Sequence, residues 1–139
     1  MSLLLALTVQ AAVAPQTVTP PPAAPAPSDP PREWSTLPAI PLPPASDDMV
    51  RFVRDEVNAG RCVRHQTTQS GQVTVVAPLA LRFNAEHGVE TIVPVAIGCP
   101  TVEQFSAGAA QRMVRRLPYR ATLTGDRWYR TVITYTWPG

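Results

Sequence analysis

The chain has 139 residues, 17 of them proline, and its twelve basic side chains are all arginine, nearly balanced by ten acids to leave a formal charge of +2. So even a balance argues against a nucleic-acid-binding protein. Twelve of the prolines fall between Pro15 and Pro44, which leaves about 95 residues to build a core and makes that core small.

Residues 1–14 read as a signal peptide or short apolar segment. Leu3 to Val9 is a brief apolar run, and Val9-Gln10-Ala11 and Ala12-Val13-Ala14 are cleavage-like triplets of small residues, although no Lys or Arg precedes them. A membrane span needs about 20 apolar residues. Stable anchoring is therefore not expected, and inner-membrane attachment requires an N-terminus that is longer or uncleaved. Residues 15–45 are predicted to be a disordered Pro-rich linker with extended, polyproline-like geometry, because each X-Pro restricts its neighbour and almost nothing in the segment can be buried.

The foldable domain is predicted to span residues 46–139. Ser46 suits a helix N-cap, Asp47 and Asp48 suit the first turn, and Met49, Phe52, Val53 and Val57 recur at helical spacing until Gly60, with Arg51, Arg54 and Asp55 on the solvent side. Two extended segments follow, Arg61 to Thr68 and Gln72 to Asn84, around a Ser70-Gly71 turn. Pro78 predicts a bulge, bend or edge position, since it has no N–H for a ladder. Beyond a turn at Gly88, Val93, Val95 and Ile97 are expected to share one face of the next strand, where Pro94 argues against pairing on both sides. Thr101-Val-Glu-Gln104 fits a capping box opening a second helix, with Val102, Phe105, Ala109 and Met113 inward and Pro118 as its stop. Arg112, Arg115 and Arg116 complement that helix's negative end, or form a patch for an acidic partner together with Arg120. The final segment, Tyr129 to Trp137, alternates Tyr, Thr, Ile, Tyr and Trp against Arg, Val, Thr and Thr, a strong strand pattern.

The two cysteines carry the clearest chemistry. In an exported chain Cys62 and Cys99 are expected to form a disulfide. The competing reading is a zinc set of Cys62, His65, His87 and Cys99, which begins with C-x-x-H spacing, and Cys–His nucleophilic catalysis lacks an evident orienting group. No phosphate loop or G-x-S-x-G elbow is present. No metal, cofactor or catalytic residue is assigned.

The order of strand, Gly turn at Asn84-Ala-Glu-His-Gly88, strand through Val93 to Ile97, helix from Thr101, and terminal strand entered by Gly125-Asp126-Arg127 resembles the C-terminal domains of the TonB and TolA family. These are periplasmic proteins coupling the inner membrane to outer-membrane partners. The resemblance covers residues 46 to 139 and implies an α+β fold, two helices packed on one face of a three- or four-stranded antiparallel sheet. It also implies a bridge comparable to Cys62–Cys99, and a non-catalytic domain that binds periplasmic segments of outer-membrane or cell-envelope proteins by strand addition, in energy transduction to outer-membrane transporters. On that reading the partner-binding residues are Tyr129, Arg130, Thr131, Val132, Ile133, Thr134 and Tyr135, at a sheet edge that takes a peptide; the alternative is an edge covered by the linker or by a second copy of the domain. The alternative is a secreted stand-alone disulfide-bonded domain with a small hydrolase or inhibitor role.

Overall fold

A computed structural model describes residues 32–62, 66–67 and 70–139. The signal-peptide reading of residues 1–14, the first part of the linker and His65 lie outside these residues. In chain order the elements are helix α1 (Asp47–Asn58), strand β1 (Gln66–Thr67), β2 (Gln72–Phe83), β3 (Val89–Pro94), helix α2 (Pro100–Arg115) and β4 (Arg127–Pro138), with 3-10 turns at Trp34–Thr36 and Arg120–Thr122. The sheet is antiparallel throughout. β2 is central: β4 runs along one side of it from end to end, while β1 and then β3 share the other side. Both helices cover the same face, α1 toward β4 and α2 toward β3. The coarse α+β expectation therefore holds.

Local chemistry explains the boundaries of α1. The Ser46 hydroxyl accepts from the Met49 N–H. At the other end the Gly60 N–H reaches the Val57 carbonyl and the Arg61 N–H the Glu56 carbonyl, a Schellman closure that places Gly60 at φ +73°. The start of α2 differs from expectation. Cys99 occupies the N-cap position and Pro100 begins the helix, where its missing N–H costs nothing. Thr101 is thus inside the helix, and Glu103 rather than Gln104 reaches back, accepting from the N–H groups of Ile97 (2.8 Å) and Cys99 (3.2 Å).

Pro78 lies in the middle of the central strand without a bulge in its pairing to β4. Its ring nitrogen faces the other side, between the position where β1 ends and the one where β3 begins. No ladder bond is lost there, and its carbonyl accepts from the Val95 N–H at 3.0 Å. The register does shift, but at Arg82/Phe83 against β3. β3 ends at Pro94, so Val95 and Ile97 lie beyond it. Ile92, opposite the buried Leu81, and Val89, opposite the buried Phe83, face the core, whereas Val93 pairs with Ala80 on the other face.

The core divides into two clusters. One lies under α1 and α2 and contains Val53, Cys62, Leu79, Cys99, Val102, Ile133 and Tyr135. The second gathers Ile40, Leu81, Phe83, Val114, Leu117 and Tyr129. Ile40, 3 % exposed, corrects the predicted boundary of a disordered linker through residue 45. Residues 37–41 form a strap along the domain, held by burial of the apolar Ile40 side chain among Leu81, Phe83, Val114, Leu117 and Tyr129.

Candidate functional site

Strand β4 has the alternation that its sequence implies. Tyr129, Thr131, Ile133, Tyr135 and Trp137 are buried against the helices, while Arg130, Thr134 and Thr136 are exposed and Val132 is 43 % exposed. Four of the seven residues predicted to touch a partner therefore send their side chains into the core. Tyr129 meets Phe83 edge-on at 5.5 Å between ring centres and accepts from the Thr124 N–H. Tyr135 shares a 2.8 Å hydrogen bond with the buried Ser106 hydroxyl. Burial pushes the Tyr135 phenol above its ordinary pKa, with the Ser106 bond opposing, so the ring stays neutral and structural.

The outward-facing part of the predicted site is Arg130, Val132 and Thr134, to which the structure adds Thr136. The Arg130 N–H donates to the Pro38 carbonyl (2.9 Å), and the Arg130 carbonyl accepts from the Ile40 N–H (2.8 Å). This is a parallel bridge centred on Ala39 and Arg130. It is reinforced by Arg130 Nε on the Leu37 carbonyl, by Thr131 Oγ1 on the Ile40 carbonyl (2.7 Å), and by the Tyr119 hydroxyl on the Pro41 carbonyl. The strap thus already occupies the edge at Arg130. Backbone polarity alternates along a strand, so Val132, Thr134 and Thr136 also direct N–H and C=O groups away from β2. Among the described residues no backbone group pairs with them.

Beside this open stretch lies a groove of about 310 Å³, bounded by Asp47, Val50, Arg51 and Arg54 of α1 and by Thr136, Trp137 and Pro138. Of these, Arg51 and Arg54 are expected in solvent from helical periodicity, and they are exposed. Their place beside the β4 edge is set by tertiary packing, which helical periodicity does not encode. The strap had one available signal, the apolar Ile40 and Leu42 embedded in a proline run.

Behind the site, Cys62 and Cys99 are joined. The bond leaves no thiolate for the zinc set or for Cys–His catalysis. Next to it the Glu56 carboxylate takes a two-pronged bond from Arg61, 2.7 Å at each oxygen, and another from the Thr101 hydroxyl at 2.6 Å. Arg61 and then Thr101 hold its pKa well below the usual range, at about 2. Disulfide and carboxylate together tie the end of α1 to the start of α2. Neither residue type nor spacing marked Glu56 in advance.

No family model, curated protein or solved structure matches this chain. Among the described residues, no helix is long and apolar enough to cross a membrane.

Proposed function

We propose that this chain is a non-catalytic periplasmic interaction domain of TonB or TolA type that takes a partner peptide as an added strand on the outer edge of β4. The observation that carries the reading is the strap. A segment of the chain's own backbone bonds to this edge at Arg130, and the same edge continues open through Val132, Thr134 and Thr136. Main-chain bonds at those three residues supply affinity, and the α1 groove together with the exposed Val132 and Thr134 side chains supplies selectivity. The export-signal reading of the N-terminus and the Cys62–Cys99 bond support an oxidising, periplasmic setting. The partners in this reading are periplasmic segments of outer-membrane or cell-envelope proteins, with energy transduction to transporters as the fuller role.

The test is titration of the full chain with a peptide spanning the N-terminal box of an outer-membrane transporter, followed by backbone amide shifts. The largest shifts are expected at Val132, Thr134 and Thr136. Thr134→Pro sharpens the test, because the lost N–H points outward and the pairing with β2 is spared. It should weaken binding about tenfold or more while the melting temperature changes little. Largest shifts elsewhere, or unchanged affinity in Thr134→Pro, would overturn strand addition. Loss of the open-edge signals with rising protein concentration and no peptide would instead assign the edge to a second copy of the domain.

A further inference from the structure

A second surface stands apart from the β4 edge, where the chain entering α1 passes the end of α2. It is a cleft of about 370 Å³, within the range of ligand-sized sites. Pro43 and Pro44 form one wall, Met49, Met113 and Leu117 line it, and Arg112 and Arg116 stand on its α2 side. The two arginines are four residues apart, hence one turn apart on one face of the helix.

Charge is what distinguishes this cleft. Arg51, Arg54, Arg61 and Arg82 each have a carboxylate partner, in Asp48, Asp55, Glu56 and Glu90 respectively. Among the described residues no carboxylate pairs with Arg112, Arg115, Arg116 or Arg120, and Arg120 spends its hydrogen bond on the Arg115 carbonyl. The end of a helix carries roughly half a negative charge. Four guanidinium groups exceed that charge, and the two that line the cleft, Arg112 and Arg116, make it complementary to an anionic partner.

The lining narrows the class further. Two methionines give an adaptable apolar floor. Pro43 and Pro44 offer no N–H, so this wall cannot pair with an added strand. Recognition here must use side chains: an apolar anchor in the cleft and carboxylates forked onto arginine. We propose that this cleft docks an acidic protein segment, with one apolar side chain seated on Met49, Met113 and Leu117 and flanking carboxylates on Arg112 and Arg116. The site is independent of the strand-addition reading.

The chain has three methionines, and two of them, Met49 and Met113, line this cleft. Methyl-labelled methionine therefore reports on it directly. The probe is a capped nonapeptide of glutamates around two central leucines, added to the full chain, with glutamine-for-glutamate and serine-for-leucine versions as controls. Saturable shifts of both methyl signals are expected with the probe, about tenfold weaker binding with either control, and loss at high salt. Arg112→Glu with Arg116→Glu should abolish binding. Arg112→Gln with Arg116→Gln, which only removes charge, should weaken it in a chain whose melting curve is checked in parallel. Thr134→Pro should bind the probe normally. The proposal is overturned by the absence of saturable shifts up to about 1 mM probe, by equal binding of the glutamine peptide, or by undiminished binding in a folded double variant.

Discussion

The two ends of the sheet are closed by different means. Around Tyr135 the core is roofed by both helices and cross-tied by the Cys62–Cys99 bond and the Glu56–Arg61–Thr101 cluster, yet among the described residues the adjacent edge of β4 is open. Around Tyr129 the second cluster is closed with the help of Ile40 on an irregular strap, and there the edge is covered. Stability and edge exposure are thus separable. The covalent end buries its core without using that edge, whereas the other end uses the strap both to complete its core and to cover its edge.

Breaking the covalent end should have the largest effect. Closing the loop between residues 62 and 99 contributes about 4 kcal/mol in the chain-entropy account. Cys62→Ser with Cys99→Ser should lower stability by about that amount in urea titration, with the edge at Val132 still open. A change much smaller than this would mean that the carboxylate cluster suffices to hold the helix ends.

Breaking the strap comes next. Ile40→Ala should cost about 3 kcal/mol, and amide exchange should rise at Arg130, whose N–H loses its ordered acceptor, while the amides of β4 that bond to β2 remain protected. Deleting residues 15–40 should cost at least as much as Ile40→Ala. An unchanged stability after that deletion would restore the picture of a detached linker and remove the contrast between the two ends.

The smallest effect concerns Glu56. Its pKa falls from 4.5 to about 2 in the folded chain, so the stability it contributes is fully present above 4.5 and is lost as the pH falls through 2. Glu56→Gln should therefore lower the melting temperature at neutral pH and converge with the parent as the pH approaches 2. A difference independent of pH would show that the carboxylate's charge is not what ties the helices together.

The elements legible in the sequence were those controlled by local chemistry. Ser46, Gly60 and the alternation from Tyr129 to Trp137 act within a few residues of themselves, and the structure places each as its type implies. The second helix is legible but starts two residues earlier than its capping pattern implies, because Pro100 can occupy the first helical position and the Thr101 hydroxyl is claimed by Glu56 from another helix. Ser106 was passed over for Phe105 as a core position, since its burial depends on the hydroxyl of Tyr135. Of the candidate site, the strand was legible but its division was not. Proline density hid the strap, whose single buried apolar side chain is invisible to any averaged composition, and the covered and open halves of β4 are created by where that one residue lands.

The parallel bridge at Ala39 also has a mechanical meaning. If residue 37 is pulled from the N-terminal side while a peptide on the open edge pulls the other way, both loads enter the same strand, at Arg130 and from Val132 onward. The path between them is a few residues of β4, and its support is the twelve-residue register with β2, not either helix. Tension would then shear the bonds that attach the strap and the peptide to β4 while the β4 backbone carries the load between them, and the β2 ladder would brace the strand without lying in the path of the force.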